Sequence, residues 1–155
     1  MKIEILAHGN TSPNKVMLMQ NTTKFFAKYL NLDKSDYKLY VCSAPNLRKN
    51  DGNNGIASKT GAKEISIAID STLQLPQMLI TLAHEMVHAK QYIRGHYKAS
   101  LSRNGRHKRF WLGKQYAVAY ARRPWEKEAC RRESELVCAL ISNVAQKVKK
   151  QSKFT

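Results

Sequence analysis

Pro76-Gln77-Met78-Leu79-Ile80-Thr81-Leu82-Ala83-His84-Glu85-Met86-Val87-His88-Ala89 decides how this chain is read. Leu79, Leu82, Ala83, Met86 and Val87 recur at three- and four-residue steps, which puts them on one face of a helix opened by Pro76. Into that apolar pattern the chain sets His84, Glu85 and His88. Residues four apart lie one turn apart on the same face, so two imidazoles can grip one zinc ion while the neighbouring glutamate reaches a water activated by it. That glutamate takes the water's proton and delivers it to a leaving amine; the metal lowers the water's pKa and polarises a carbonyl. A helix can carry such a trio by accident. With 5 histidines in 155 residues and so apolar a helix, a metal site is the better explanation.

Zinc of this kind takes a third protein ligand and leaves a position open. A metzincin continuation needs Gly at 91 and His at 94, where this chain has Gln91 and Arg94, so that class is excluded. The remaining candidates are His96, His107, Glu126 and Glu128. Arg123-Pro124 opens a last helix on which Glu126, Cys130, Glu133, Val137, Leu140 and Val144 share a stripe. Glu128 shares its face with Arg132, Glu135, Ser142 and Gln146 and is expected to point into water. A first-turn glutamate is favoured by the helix dipole alone, but one that leads an apolar stripe is better placed to be a ligand. Glu126 is therefore preferred, with His107 as the alternative.

Outward from these helices, residues 2–7 alternate as a strand. Ser12-Pro13 starts a helix that Val16, Met19, Thr23, Phe26 and Leu30 carry to about Asn31. Tyr37, Leu39 and Val41 alternate as a second strand, and residues 46–54 read as a polar loop. Ile56, then Ile65, Ile67 and Ile69, suggest a hairpin around Thr60-Gly61-Ala62. The window after the motif helix has no long periodicity but holds a hairpin over residues 110–116. We expect one α+β domain over residues 1–146 and a frayed basic tail over residues 147–155.

Charge narrows the partners. Residues 1–89 carry 10 Lys/Arg against 7 Asp/Glu, whereas residues 90–155 carry 17 against 4. No acidic residue lies between Glu85 and Glu126. In that interval Arg94, Lys98, Arg103, Arg106, Lys108, Arg109, Lys114, Arg122 and Arg123 are the candidates for binding a polyanion such as nucleic acid. At 43% hydrophobic residues the chain can bury a core, which excludes wholesale disorder. No apolar run approaches the roughly 18 to 20 residues of a membrane span, and the start lacks a secretory pattern. Cys42, Cys130 and Cys138 form no CxxC pair, so a disulfide scaffold is not expected. A cytoplasmic monomer without a membrane partner fits these features.

His84-Glu85-Met86-Val87-His88-Ala89-Lys90-Gln91-Tyr92, then Trp111-Leu112-Gly113-Lys114-Gln115-Tyr116, then Pro124-Trp125-Glu126-Lys127-Glu128-Ala129 resemble the small zincin-like metallopeptidases of bacteriophages described as SprT-like. The resemblance covers about residues 75–137. It implies a zincin-like fold: a small twisted sheet packed on the HExxH helix, a further C-terminal helix, and residues 64–70 as the strand bordering the cleft. An extended peptide would pair with that strand. The resemblance also implies a Glu-x-x-Ala third ligand, matched by Glu126 to Ala129, and one zinc per chain. Where some of those families place an aspartate four residues after the glutamate, this chain has Cys130, so the carboxylate that would orient a histidine is missing there. Gly105-Arg106-His107-Lys108-Arg109-Phe110-Trp111 is similar to the histidine segment of DNA-linked SprT and Spartan proteases, one residue short from His107 to Phe110. Tyr116 and Tyr120 lie in the stretch that would donate to a developing oxyanion. Trp111 and Trp125 read as core or cleft-wall residues, and His8 as structural or exposed. The expected function is a zinc-dependent metalloendopeptidase with Glu85 as general base, acting on protein or peptide, including nucleic-acid-associated proteins. The competing expectation is a basic nucleic-acid-binding or interaction protein whose zinc is structural.

Overall fold

Ile65, Ile67 and Ile69 alternate with small or polar residues, and this makes β4 (Glu64–Asp70) the centre of a sheet with its isoleucines fully buried. β2 (Lys38–Ala44) runs parallel beside it, placing Leu39 opposite Ile65 and Val41 opposite Ile67. β1 (Lys2–Leu6) extends the parallel part beyond β2, and β3 (Gly55–Gly61) closes the other side antiparallel to β4, giving the order β1-β2-β4-β3. The structure, a computed structural model, describes residues 1–6, 11–102 and 105–152. His8 and Arg103 lie outside the described residues.

One face of this sheet is covered by helices. α1 (Pro13–Tyr29) starts as its sequence dictates, with Ser12 Oγ accepting from the Lys15 N–H at 3.3 Å and proline in the first turn. It contributes Met19 and Phe26 to the core, while α3 (Leu75–Ile93) contributes Met78, Leu82 and Met86. α4 (Pro124–Gln151) packs along α3 and buries Trp125, Glu126, Ala129 and Leu136. A second sheet, β5 (Tyr97–Leu101), β6 (His107–Trp111) and β7 (Lys114–Tyr116), is antiparallel throughout. Its β6–β7 turn places both Leu112 and Gly113 at positive φ, as a tight two-residue hairpin requires. The class is thus mixed α+β, and no described helix is long and apolar enough to cross a membrane.

Several expectations need correction. The polar loop at residues 46–54 contains a short helix, α2 (Leu47–Asp51). It is held by buried Asp70, whose Oδ2 accepts from the Arg48 N–H at 2.6 Å. The strand bordering the cleft is β3, because β4 is paired on both edges. α4 continues as helix to Gln151, beyond the bound drawn at residue 146. The stripe expected on α4 is also rotated: Cys130 and Val144 are exposed, and the buried positions fall at Glu126, Ala129 and Leu136.

Candidate metal centre

The helical spacing of His84 and His88 brings their Nε2 atoms to 3.1 Å of each other. Glu126, from the first turn of α4, places Oε2 at 3.4 Å from His84 Nε2 and 3.3 Å from His88 Nε2. Glu126 is 8% exposed, and its Oε2 has no hydrogen-bond partner. A buried carboxylate oxygen left unpaired is costly. Its unmet acceptor capacity faces two imidazole nitrogens that can also donate lone pairs to a cation. The three side chains could together hold a metal ion through two nitrogens and an anionic oxygen, a donor set of the kind zinc takes.

Each imidazole is fixed from behind. His84 Nδ1 lies 2.7 Å from Glu133 Oε2, a hydrogen bond that directs Nε2 into the site. The carboxylate missing at Cys130 is therefore supplied two turns after Glu126 on the same helix. His88 Nδ1 lies 2.8 Å from Gln91 Oε1, and Gln91 Nε2 in turn donates to the Trp125 carbonyl at 2.9 Å and to Glu128 Oε2 at 3.0 Å. Glu128 also pairs with Lys90 at 3.4 Å. The expectation that Glu128 points into water is wrong: it is half-buried and braces the glutamine that orients His88. A second grouping, His84 with Cys130 and Glu133, shares the already bonded His84–Glu133 contact.

Charge reinforces this geometry. Burial lowers the pKa of His84, but the carboxylates of Glu126 and Glu133 outweigh it and raise the value to about 9. Burial opposes ionisation of Glu126 too, yet the two histidines hold its pKa well below the usual carboxylate range. Glu85 is pushed up by burial, with the histidines opposing the rise.

These groups open onto a cleft of about 410 Å³ between α3, β3, the second sheet and the start of α4. Gly55, Ile56 and Ala57 form the β3 wall; Tyr97 and Arg109 belong to the opposite wall with Arg123 and Trp125. β3 comes so close to α3 that a Cβ on Gly55 would stand 2.6 Å from Thr81 Cγ2 and 2.9 Å from Glu85 Cγ. Tyr120 lies on a 3-10 turn (Tyr120–Arg122), lines the cleft, and has its pKa raised by burial and by Glu126. Tyr116 is instead packed edge-on against Trp125, with ring centroids 6.3 Å apart.

The other candidates scatter. His107 is exposed at the start of β6 and belongs to no ligand grouping among the described residues. His96 packs against Trp111 at 6.0 Å. Among the described residues the basic window does not form one surface. Register puts Lys98 opposite Phe110 and Lys108 opposite Ser100 on one face of the second sheet, while Arg109 and Tyr97 belong to the other face. Arg94 donates to the Asn31 carbonyl at 3.1 Å and ties α3 to the end of α1. Lys114 and Arg122 are exposed near the hairpin and the 3-10 turn, and Arg106 sits at the turn leading into β6. No protein-family model, curated protein or solved structure matches the chain.

Sequence reasoning passed over Glu133 and Gln91. Glu133 had a signal in its spacing: seven residues from Glu126, it lies on the same face of α4. Gln91 had none, because its role depends on Glu128 and Trp125 arriving from another helix.

Proposed function

We propose that this chain is a zinc-dependent endopeptidase with a zincin-like fold, related in design to the SprT-like metallopeptidases. The observation that carries the reading is the buried, unpartnered Glu126 Oε2 facing His84 Nε2 and His88 Nε2, with Glu85 beside them at the cleft. His84, His88 and Glu126 would hold the ion, and zinc there supplies a Lewis acid that acidifies water and polarises a peptide carbonyl.

The remaining chemistry falls to the chain itself. Glu85 accepts the proton of the attacking water and passes it to the departing nitrogen. Burial makes it a better base than a solvated carboxylate. β3 has one unpaired edge among the described residues, at the cleft, on which an extended peptide can hydrogen-bond as an added strand. Tyr120 can donate its hydroxyl to oxygen that gains negative charge in the cleft. A purely structural metal would have no use for a buried glutamate at an open cleft, and this favours catalysis over the structural alternative.

The test combines metal content with hydrolysis of an unfolded protein such as casein. Wild type is expected to carry one zinc per chain and to cleave; Glu85→Gln is expected to keep zinc and lose cleavage by roughly 100- to 10,000-fold. Zinc retained with undiminished cleavage would remove Glu85 from the mechanism, and a wild-type protein with zinc but no hydrolysis would leave the ion a structural role.

A further inference from the structure

We infer that Arg109 and Arg123 form a subsite for one carboxylate side chain of an extended peptide lying in the cleft. This rests on the peptidase reading and adds its substrate class. Both arginines line the same cleft as His84, Glu85 and Glu126. Among the described residues neither is ion-paired, whereas Lys90 pairs with Glu128 and Arg132 with Glu135. Arg123 Nε is buried without a hydrogen-bond partner, and its guanidinium sits 5.2 Å above the Tyr120 ring. Arg109 lies against the Tyr97 hydroxyl and lowers that group's pKa, against the larger rise caused by burial.

The charge balance of the cleft asks for an anion. Of its two carboxylates, Glu126 faces the histidines, and Glu85 lies against β3 with Oε1 3.2 Å from where a Cβ on Gly55 would stand. Arg109 and Arg123 are therefore left without a counter-charge, each held by an aromatic neighbour that limits its freedom. A planar guanidinium can bind carboxylate through two parallel N–H bonds, and a preset fork loses little entropy in doing so. A polynucleotide backbone fits less well, because it needs a continuous basic track. Lys98 and Lys108 belong to the opposite face of the sheet from Arg109, so the cleft pair is cut off from them.

The Glu85→Gln protein, as purified, is titrated by fluorescence anisotropy with blocked octapeptide pools. Each pool carries one fixed Asp, Asn or Lys in an otherwise uncharged background, with the fixed residue moved through every position. At one position Asp is expected to bind roughly 10- to 100-fold tighter than Asn. That preference is expected to vanish in Arg109→Gln/Arg123→Gln, and Arg123→Glu is expected to favour Lys at the same position. The charge-reversed variant keeps the test decisive if the double variant folds poorly, since a gained preference cannot come from unfolding. Equal binding of Asp and Asn at every position overturns the inference, as does a preference that survives the double substitution. An oligothymidylate whose binding needs both arginines, while Asp and Asn pools bind alike, would assign them to phosphate and overturn it too. Wild-type protein separates this from the wider reading. Cleavage of Asp and Asn pools at equal rates refutes the subsite and keeps the peptidase. Arginine-dependent binding of Asp without cleavage keeps the subsite and retires the peptidase.

Discussion

Gly55→Ala adds one methyl group where β3 crosses α3, and its consequences can be worked from three distances. The new Cβ would lie 2.6 Å from Thr81 Cγ2, 2.9 Å from Glu85 Cγ and 3.2 Å from Glu85 Oε1. Carbon atoms pack best at about 3.5–4.0 Å, so the strand and the helix must separate by about 1 Å or Glu85 must turn away. Gly55 is not among the positive-φ residues, so the conflict is one of space alone. Overpacking of this kind costs about 1–3 kcal/mol. At 2–4 °C per kcal/mol for a chain of this size, the melting temperature should fall by roughly 2–12 °C. The three nearest atoms belong to Thr81 and Glu85 and none to the metal-facing set, so zinc content should stay at wild-type level. Hydrolysis should fall about 100-fold, the usual effect of a 1 Å misplacement. Thr81→Ser removes the tightest contact and should restore part of the stability of the Gly55→Ala protein without restoring rate, because the Glu85 contacts remain. The assays are calorimetry, metal analysis and casein cleavage on the four proteins of that cycle. A Gly55→Ala protein with unchanged melting and full activity would refute the reasoning, and one that loses zinc would place the strand's influence on the wrong residue.

Glu126→Ala should abolish stoichiometric zinc, whereas His107→Ala should leave it intact; competition with a zinc chelator reads both. Glu128→Ala should weaken zinc less than Glu126→Ala but measurably, through Gln91 and His88, and an unaltered affinity would show that the Gln91 brace is idle. Glu133→Ala should lower zinc affinity by roughly 10- to 100-fold while keeping the three ligands, since His84 loses the partner that orients it. In the metal-free protein the raised His84 pKa of about 9 means that its stabilising contribution is complete below the unfolded value near 6.5 and is lost as pH rises through 9. Chemical denaturation between pH 6 and 10 should therefore show metal-free protein weakening with rising pH. Zinc binding at pH 7.5 should release about one proton from His84, seen as a buffer-dependent heat in titration calorimetry.

Local patterns announced what depends on local geometry. The Leu79 to Val87 periodicity led to α3, and a four-residue step is enough to set His84 and His88 together. Ser12-Pro13 marked its helix start for the same reason. Glu126 was reached because it heads α4, although the stripe that pointed to it was rotated: packing on α3 selects Ala129 and Leu136 over Cys130 and Val144. The cleft strand implied by the resemblance, residues 64–70, is the wrong one, and its three isoleucines show why. Such a run signals a strand paired on both edges, while the small and polar residues of Gly55-Ile56-Ala57-Ser58-Lys59-Thr60-Gly61 suit an edge. β5 was missed since Tyr97-Lys98-Ala99-Ser100-Leu101 has little strand preference and is specified by its pairing with β6. The division of the basic window is likewise a matter of strand register, which charge counting does not reveal.

The support of the two histidines by α4 sets a mechanical tolerance for the whole centre. His84 answers to Glu126 and Glu133, and His88 answers through Gln91 to Glu128 and the Trp125 carbonyl, so every brace crosses from α3 to the same neighbouring helix. A hydrogen bond keeps its strength over a range of about 0.5 Å, whereas sliding one helix by a single residue displaces it by about 1.5 Å. No slip along this seam can therefore preserve the alignment: α3 and α4 must move as one piece or not at all. Any adjustment to an arriving chain is left to the parts outside that seam, β3 on one side and the small second sheet on the other. The floor of the cleft is rigid by construction, and compliance belongs to its walls.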